Sequence, residues 1–250
     1  MDVVFQRTTG LTEAPFSYCP GCTHGIIHRL VAESLQELGV LERSIAIASV
    51  GCSVMSYEYF NCDAIQAPHG RAPAVATGVK RVKPQQIVFT YQGDGDLASI
   101  GIGEIVQAAH RGENITVIFV NNAIYGMTGG QMAPTTLAQQ VTTTSPLGRN
   151  PLESGHPLHV SELLATIEGA HYIERVMVAD PPSIRNAKKA IKKAFDHQVH
   201  QRGFSLVEVL SSCNIGWGLS ATDALQFIKN DMQAIFPLGV KKERPEGSQV

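Results

Sequence analysis

The sequence has no excess of charge of either sign. Lys and Arg number 20 and Asp and Glu 22, a formal net charge of −2, which leaves no basic surface to track a nucleic-acid backbone. No apolar run reaches the length of a membrane span. Met1-Asp2-Val3-Val4-Phe5-Gln6-Arg7 lacks the charged, apolar and small-residue regions of a signal peptide. The expectation is a cytoplasmic protein with neither nucleic acid nor membrane as partner. Cysteine is sparse, five in 250 residues. In a cytoplasmic chain so few are not a disulfide framework, so they are read as ligands or core residues. No internal repeat and no linker divides the chain. What is present, 44% hydrophobic and 17% charged residues, suffices for one large α/β domain with a substantial core.

Hydrophobic periodicity places the elements. Ile26, Ile27, Leu30, Val31, Leu35 and Leu38 recur at helical spacing and Gly39 is a natural stop. Ser44 to Val50 reads as a buried strand, Gly70 to Lys83 as a helix, Gln86 to Tyr91 as a strand, Ile100 to His110 as a helix and Ile115 to Val120 as a strand. Residues 125 to 158, rich in Gly, Thr, Pro and Gln, read as a long loop, which in a compact domain is functional or partner-facing. Val160 to Ala170 reads as a helix, Tyr172 to Val178 as a strand, Ser183 to Gln201 as a basic amphipathic helix, Phe204 to Leu210 as a strand and Ala221 to Ile235 as the last helix. Lys188, Lys189, Lys192 and Lys193 form a solvated face of that basic helix. Strands alternate with helices, so the fold class is α/β: a mostly parallel sheet with helices on both faces. A single domain over 1–240, opening on an irregular arm, and a polar tail over 241–250 are expected.

Two strands end in oxygen donors. Gln86 to Tyr91 leads into Gly93-Asp94-Gly95-Asp96, and Ile115 to Val120 leads into Asn121-Asn122, 25 positions after Asp96. The C-terminal edge of an open α/β sheet is where such folds bind ligands. The glycines let backbone amides approach an anion at a helix start. Asp94 and Asn122 both offer oxygen to a hard cation, and Mg²⁺ takes a few protein oxygens and completes its shell with water and phosphate. The pair reads as a Mg²⁺-diphosphate site. Gly-Asp-Gly alone is common turn chemistry; its pairing with Asn-Asn, each behind a strand, is the specific part.

The cysteines gather on the same edge. Cys19-Pro20-Gly21-Cys22 is a CxxC, Cys52 follows the first strand and Cys213 the Phe204 to Leu210 strand. Four thiolates suit tetrahedral zinc or an iron–sulfur cluster. A CxxC by itself also suits a redox dithiol, and two single cysteines can be unrelated, so the residues alone leave these readings open. Cys62, in Asn61-Cys62-Asp63, reads as packing.

Together these residues resemble the thiamine-diphosphate-binding β subunit of 2-oxoacid:ferredoxin oxidoreductases. The resemblance runs over roughly residues 16 to 217 and rests on Tyr18-Cys19-Pro20-Gly21-Cys22, Val50-Gly51-Cys52-Ser53, Pro68-His69-Gly70-Arg71, Gln92 through Leu97 and Asn121 through Gln131. It implies the diphosphate-binding half of a thiamine-diphosphate fold. It implies that Cys19, Cys22, Cys52 and Cys213 ligate a [4Fe–4S] cluster, and that Asp94, Asn122 and the Ile124 carbonyl hold Mg²⁺. The amides near Gly95 and Asp96 and the Thr128 side chain are implied beside the diphosphate. Cys52, Ser53, His69, Gly93 and Leu97 complete the cofactor-binding set, and His69 and Arg71 are the implied catalytic residues. The implied reaction is oxidative decarboxylation of a 2-oxoacid with coenzyme A to acyl-CoA and CO₂, with ferredoxin as electron acceptor.

The chain departs from relatives at Thr23, where many have Gly, and at Ser53-Val54-Met55, where some that handle pyruvate or 2-oxoglutarate carry Lys or Arg. The stretch Tyr57 to Arg71 looks most like the branched-chain type, which acts on 3-methyl-2-oxobutanoate. An apolar wall at Val54 and Met55 fits a branched aliphatic side chain, whereas a second carboxylate needs a buried cation. The resemblance also implies partners. The glutamate for the aminopyrimidine ring belongs to an alpha subunit with the pyrimidine-binding domain, and any further clusters to gamma and delta subunits. The alternatives are 2-oxoglutarate or pyruvate as substrate, a non-oxidative thiamine-dependent decarboxylase subunit, and a zinc-stabilised binding subunit.

Overall fold

The computed structural model describes residues 6–245. Seven strands form one sheet in the order β2-β1-β3-β4-β6-β5-β7. They are β1 Ser44–Ala48, β2 Asp63–Gln66, β3 Ile87–Gly93, β4 Thr116–Asn121, β5 Ala170–Met177, β6 Phe204–Leu210 and β7 Gly239–Glu243. All neighbours are parallel except β7, which runs antiparallel to β5. The longer helices are α1 His24–Glu37, α3 Ala72–Val82, α4 Ile102–His110, α6 Val160–Ala165, α7 Pro181–Val199 and α9 Ala221–Phe227. One-turn helices are α2 Ser56–Tyr59, α5 Pro151–Ser154, α8 Asn214–Trp217 and α10 Gln233–Ile235.

The mostly apolar strands β1, β3, β4 and β6 are buried on both faces almost throughout. On one face α1 and α7 pack Leu35, Ile191 and Phe195 against Phe89, Tyr91, Ile118 and Val207. On the other, α3, α4 and α6 pack Ala76, Ile105 and Leu164 against Ile47, Val88, Val117 and Leu206. α7 starts where Asp180 caps the Ser183 amide in a reciprocal box and Pro181 and Pro182 pre-set the first turn. A third cluster, with Ala123, Leu210, Ile228 and Phe236, seats α9 and the π-turn behind it over the C-terminal edge of the sheet.

Several elements differ from the sequence reading: the helix read over Val160 to Ala170 ends at Ala165, and Ala170 opens β5. The tail expected over 241–250 begins instead as part of β7, where Gly239 to Glu243 pair with Arg175 to Tyr172; residues 246–250 lie outside the described residues, as do 1–5 of the expected arm. The stretch from Tyr57 to Arg71 contains the strand β2, whose four residues are exposed. A polar, one-sided edge strand of that length leaves no alternation to read. Among the described residues no helix is long and apolar enough to cross a membrane.

Strand order reverses at β1, which has β2 on one side and β3 on the other. The segments leaving β1, β3, β4 and β6 therefore open onto one crevice at the C-terminal edge.

Candidate functional site

A cavity of about 130 Å³ lies at that crevice. Gly51, Cys52 and Ser53 border it from β1, Gly93 to Asp96 from β3, and Asn122 and Ile124 to Thr128 from β4. His69 and His24 complete it, and no lysine or arginine lines it among the described residues.

Asp94 is 2% exposed. Burial raises its carboxyl to about 6, against the Thr135 hydroxyl and the amides of Gly95, Ala123 and Ile124, which favour the anion. The Gly95 amide donates to Oδ1 at 2.8 Å and Thr135 Oγ1 to Oδ2 at 2.6 Å. A bound cation would oppose the effect of burial and keep the carboxylate charged. Gly95 must be glycine for a reason of space, since a Cβ there would lie 2.3 Å from the Tyr125 ring.

The two asparagines of the pair point in different directions. Asn121 turns inward: its Nδ2 donates to Glu208 Oε1 at 2.7 Å, and its Oδ1 accepts from the Ala123 amide at 3.1 Å. Asn122 faces the cavity, and its backbone carbonyl accepts from Trp217 Nε1 at 3.0 Å. Ala123 takes φ 57°, a left-handed conformation uncommon outside glycine. Asp96 also serves the surroundings. Its Oδ1 is bonded to His69 Nδ1 and to the Gly70 amide, and its Oδ2 to Gln92 Nε2. The His-Gly-Arg turn is thereby tied to the end of β3, and only Nε2 of His69 is left to meet a ligand.

The four cysteines come together by a set of tethers. Cys22 N donates to Cys19 O at 3.0 Å across the CxxC turn, in which Gly21 has φ 89°. Ser212 Oγ donates to Gly21 O and Asn214 Nδ2 to Pro20 O, each at 3.0 Å, which binds that turn to the residues either side of Cys213. Tyr18 OH donates to Cys52 O at 3.1 Å. Burial pushes the Cys22 thiol up to about 11 and the Cys213 thiol up to about 12, with Cys52 adding to each and Cys22 to the latter. Burial, then Cys19, raises Cys52. Gly126 and Gly216 make room for Cys213, because a Cβ on either would approach its sulfur to 2.9 and 2.8 Å. Among the described residues no three His, Cys, Asp or Glu side chains gather closely enough to hold one metal ion.

Four expected residues take other positions. Leu97 is fully buried in the core beneath α3 and α4. Arg71 does not line the cavity; it precedes α3 and pairs with Glu104. Val54 and Met55 lie in the helical turn that starts at Cys52 and are absent from the lining, so the apolar wall is built from Val50, Ile124, Tyr125 and Met127. The 125–158 loop, read as functional or partner-facing, turns its middle toward the site: Thr135 reaches Asp94, and Thr136 Oγ1 donates to Ala123 O at 2.6 Å. Arg149 holds that loop by donating to the carbonyls of Ala133, Pro134, Thr136, Ser154, Gly155 and His156. Sequence reasoning missed His24, which is stacked on Tyr18 and bonded to Tyr91 OH at 2.7 Å. Its place two residues after Cys22 was the available signal. Thr135 and Trp217 gave none, because both reach the site from far along the chain.

Residues 49–209 match the family model for the thiamine pyrophosphate enzyme C-terminal TPP binding domain. The ketoisovalerate oxidoreductase subunits VorA of Methanothermobacter marburgensis and Methanothermobacter thermautotrophicus are 51% and 50% identical over 98% and 96% of this chain. The chain spans about half the length of these two relatives, 51% and 50%. The 2-oxoglutarate synthase subunit KorB of Methanocaldococcus jannaschii is 36% identical, over 87% of this chain and 78% of that protein. The solved structure of 2-oxoglutarate:ferredoxin oxidoreductase from Magnetococcus marinus, with 2-oxoglutarate, coenzyme A and succinyl-CoA bound, superposes at a TM-score of 0.79 and 26% identity. It covers 95% of this chain and 84% of that one. The chain belongs to the thiamine pyrophosphate enzymes that share this C-terminal TPP-binding domain, in the branch that holds the VorA and KorB oxidoreductase subunits.

Proposed function

We propose that the chain is the diphosphate-binding subunit of a cytoplasmic 2-oxoacid:ferredoxin oxidoreductase, active only with a partner that carries the pyrimidine-binding domain. One observation carries the reading: Asp94, Asn122 and Cys52 line one cavity, and Cys22 and Cys213 lie close enough to Cys52 for their charges to interact. The donors suit the groups. A buried carboxylate, an amide oxygen and a backbone carbonyl are hard ligands for Mg²⁺, and four free thiols, Cys22, Cys52 and Cys213 half-buried and Cys19 exposed, suit the soft-ligand set of a [4Fe–4S] cluster. Asp94, Asn122 and the Ile124 carbonyl hold the ion. The Gly95 and Asp96 amides and the Thr128 hydroxyl would bind the diphosphate, and Cys19, Cys22, Cys52 and Cys213 would hold the cluster. Thiamine diphosphate, when bound, would supply the electron sink for decarboxylation, and a cluster on the four cysteines would supply a one-electron acceptor. The chain's residues prepare the place for that chemistry. Asp96 fixes the His69 ring at the cavity, where Nε2 can exchange a proton with substrate, and the Tyr125 ring packs over Gly95.

The substrate is proposed to be 3-methyl-2-oxobutanoate, with coenzyme A as acyl acceptor. The lining lacks Lys and Arg, the nearby Arg71 is taken by Glu104, and Ile124 and Met127 offer an apolar wall. A second carboxylate would be left without a counter-charge on this subunit. The competing reading is 2-oxoglutarate, favoured by the KorB relatives and the 2-oxoglutarate-bound structure; it requires a cation from the partner. Initial rates with the anaerobically purified complex, coenzyme A and a low-potential dye separate them. The expected order places 3-methyl-2-oxobutanoate first by kcat/KM. A tenfold preference for 2-oxoglutarate overturns the substrate assignment. Absence of iron and acid-labile sulfide, with decarboxylation retained, would make the protein a non-oxidative decarboxylase subunit.

A further inference from the structure

Glu208 is an ionic residue in the middle of the apolar strand β6, 1% exposed. Its Oε2 accepts from Arg175 Nε at 2.8 Å and from Ser161 Oγ. Arg175 stands opposite Glu208 in the β5–β6 register and its side chain is fully buried. Nη1 and Nη2 of Arg175 donate to the two oxygens of Glu162 at 2.6 and 2.5 Å. The other Glu208 oxygen, Oε1, accepts from Asn121 Nδ2 at 2.7 Å. In the β4–β6 register Phe119 stands opposite Glu208 and Asn121 opposite Leu210, so Asn121 and Glu208 are diagonal neighbours on one face.

A carboxylate only accepts hydrogen bonds. It therefore fixes which end of the Asn121 amide points at it, and leaves Asn121 Oδ1 facing the other way, onto the Ala123 amide at 3.1 Å. Ala123 is the left-handed residue of the turn, and such a conformation persists only where its surroundings over-determine it. Asn122 lies between the two residues so held. A buried ion pair is weak evidence for stability, since an apolar pair of like volume serves as well. What the apolar pair lacks is a means of orienting Asn121.

We infer that Glu208 is a positioning residue for the cofactor's cation: through Asn121 it holds the 121–124 turn in the form that presents Asn122 and the Ile124 carbonyl to the ion. The inference rests on the Mg²⁺-diphosphate reading of Asp94 and Asn122. It assigns different tasks to the two asparagines of the motif, one binding and one orienting. It also makes the charge line Asn121, Glu208, Arg175 and Glu162 a support of the site that starts on α6, on the far side of β5.

The test is calorimetric titration of Mg²⁺ and thiamine diphosphate into the full chain in its native assembly, well below its melting temperature, with thermal melting measured in parallel. Glu208→Gln and Asn121→Ala are each expected to weaken binding roughly 10- to 100-fold, the cost typical of residues that orient metal ligands. Glu208→Gln with Asn121→Ala should lose no more than the worse single variant, because the two act as one unit. Thr116→Val removes buried hydrogen bonds to Gln198 Oε1 and the Ala194 carbonyl at the opposite end of β4; it should melt lower and bind like the parent. Parent-like affinity in Glu208→Gln, or additive losses in the double variant, overturns the inference. Should Glu208→Gln not fold, Asn121→Ala, which keeps the Glu208–Arg175 pair, decides alone, and parent-like affinity there overturns it. Asp94→Ala separates the two levels: if it binds like the parent, the Mg²⁺-diphosphate reading itself fails.

Discussion

Asp94 and Asn122 supply a carboxylate and an amide to one cavity, and their loss should not be equal. Asp94→Ala removes both an oxygen and the charge that balances a divalent cation. It is expected to lower affinity for thiamine diphosphate by more than about 100-fold, beyond the range of supporting residues, with Asn122→Ala falling less far; cofactor content after gel filtration and calorimetry measure both. Gly95→Ala places a methyl 2.3 Å from the Tyr125 ring, so Tyr125 must move and the cavity floor with it. A drop in affinity of roughly tenfold with the fold retained by circular dichroism is expected. At the thiols, serine for Cys19, Cys22, Cys52 or Cys213 exchanges a soft ligand for a hard one. Each should lower iron per chain, whereas Cys62→Ser, whose thiol packs against the α1 and α7 core, should leave iron unchanged. Stoichiometric zinc in place of iron in anaerobically prepared protein contradicts the cluster assignment.

The contact of α6 with β5 and β6 through Arg175 has its own consequences. Arg175→Met leaves Glu208 buried without its counter-charge and is expected to cost about 3–5 kcal/mol, read from denaturant midpoints. Burial pushes the Glu162 carboxyl up, but the hydrogen bonds and charge of Arg175 outweigh it and hold the group at about 2. Its folded pKa lies below the ordinary carboxylate value of 4.5. The stability it contributes is therefore present above pH 4.5 and is lost as pH falls through about 2. Unfolding measured across that window should show a decline that is shallower in Arg175→Met, because Glu162 then titrates nearer its ordinary value. An unchanged slope in that variant removes Arg175 as the cause.

For the whole molecule, cofactor binding to the native state alone stabilises by mass action. At a hundredfold excess over Kd the gain is about 2.7 kcal/mol, which for a chain of this size raises Tm by roughly 5–10 °C. The shift should need Mg²⁺ and thiamine diphosphate together and vanish with a chelator. A full shift from thiamine diphosphate alone separates the diphosphate site from the metal. Motif spacing marked Asp94 and Asn122 in the sequence and the family resemblance implied His69, Thr128 and Cys52; all five border one cavity. Leu97 and Arg71 were motif neighbours whose side chains are taken up elsewhere, by the core and by Glu104. Adjacency along the chain does not fix which face of a turn a side chain leaves from.

The sequence by itself determined the sheet and its ligand-binding edge. Strands buried on both faces read as apolar runs, helices as 3.6-residue periods, and the Gly-Asp-Gly and Asn-Asn turns mark the strand ends where ligands meet an α/β sheet. Those signals are local, carried by a few successive residues. Only the tertiary structure decided that Asn121 turns inward, that Thr135 completes the Asp94 shell from 41 positions away, and that Glu208 stands behind Asn121 from 87 away. It also decided that Gly239 to Glu243 close the sheet edge against β5. Each of these depends on strand register and loop closure between distant segments, and a hydrogen bond across such a distance leaves no period or spacing in the chain that forms it.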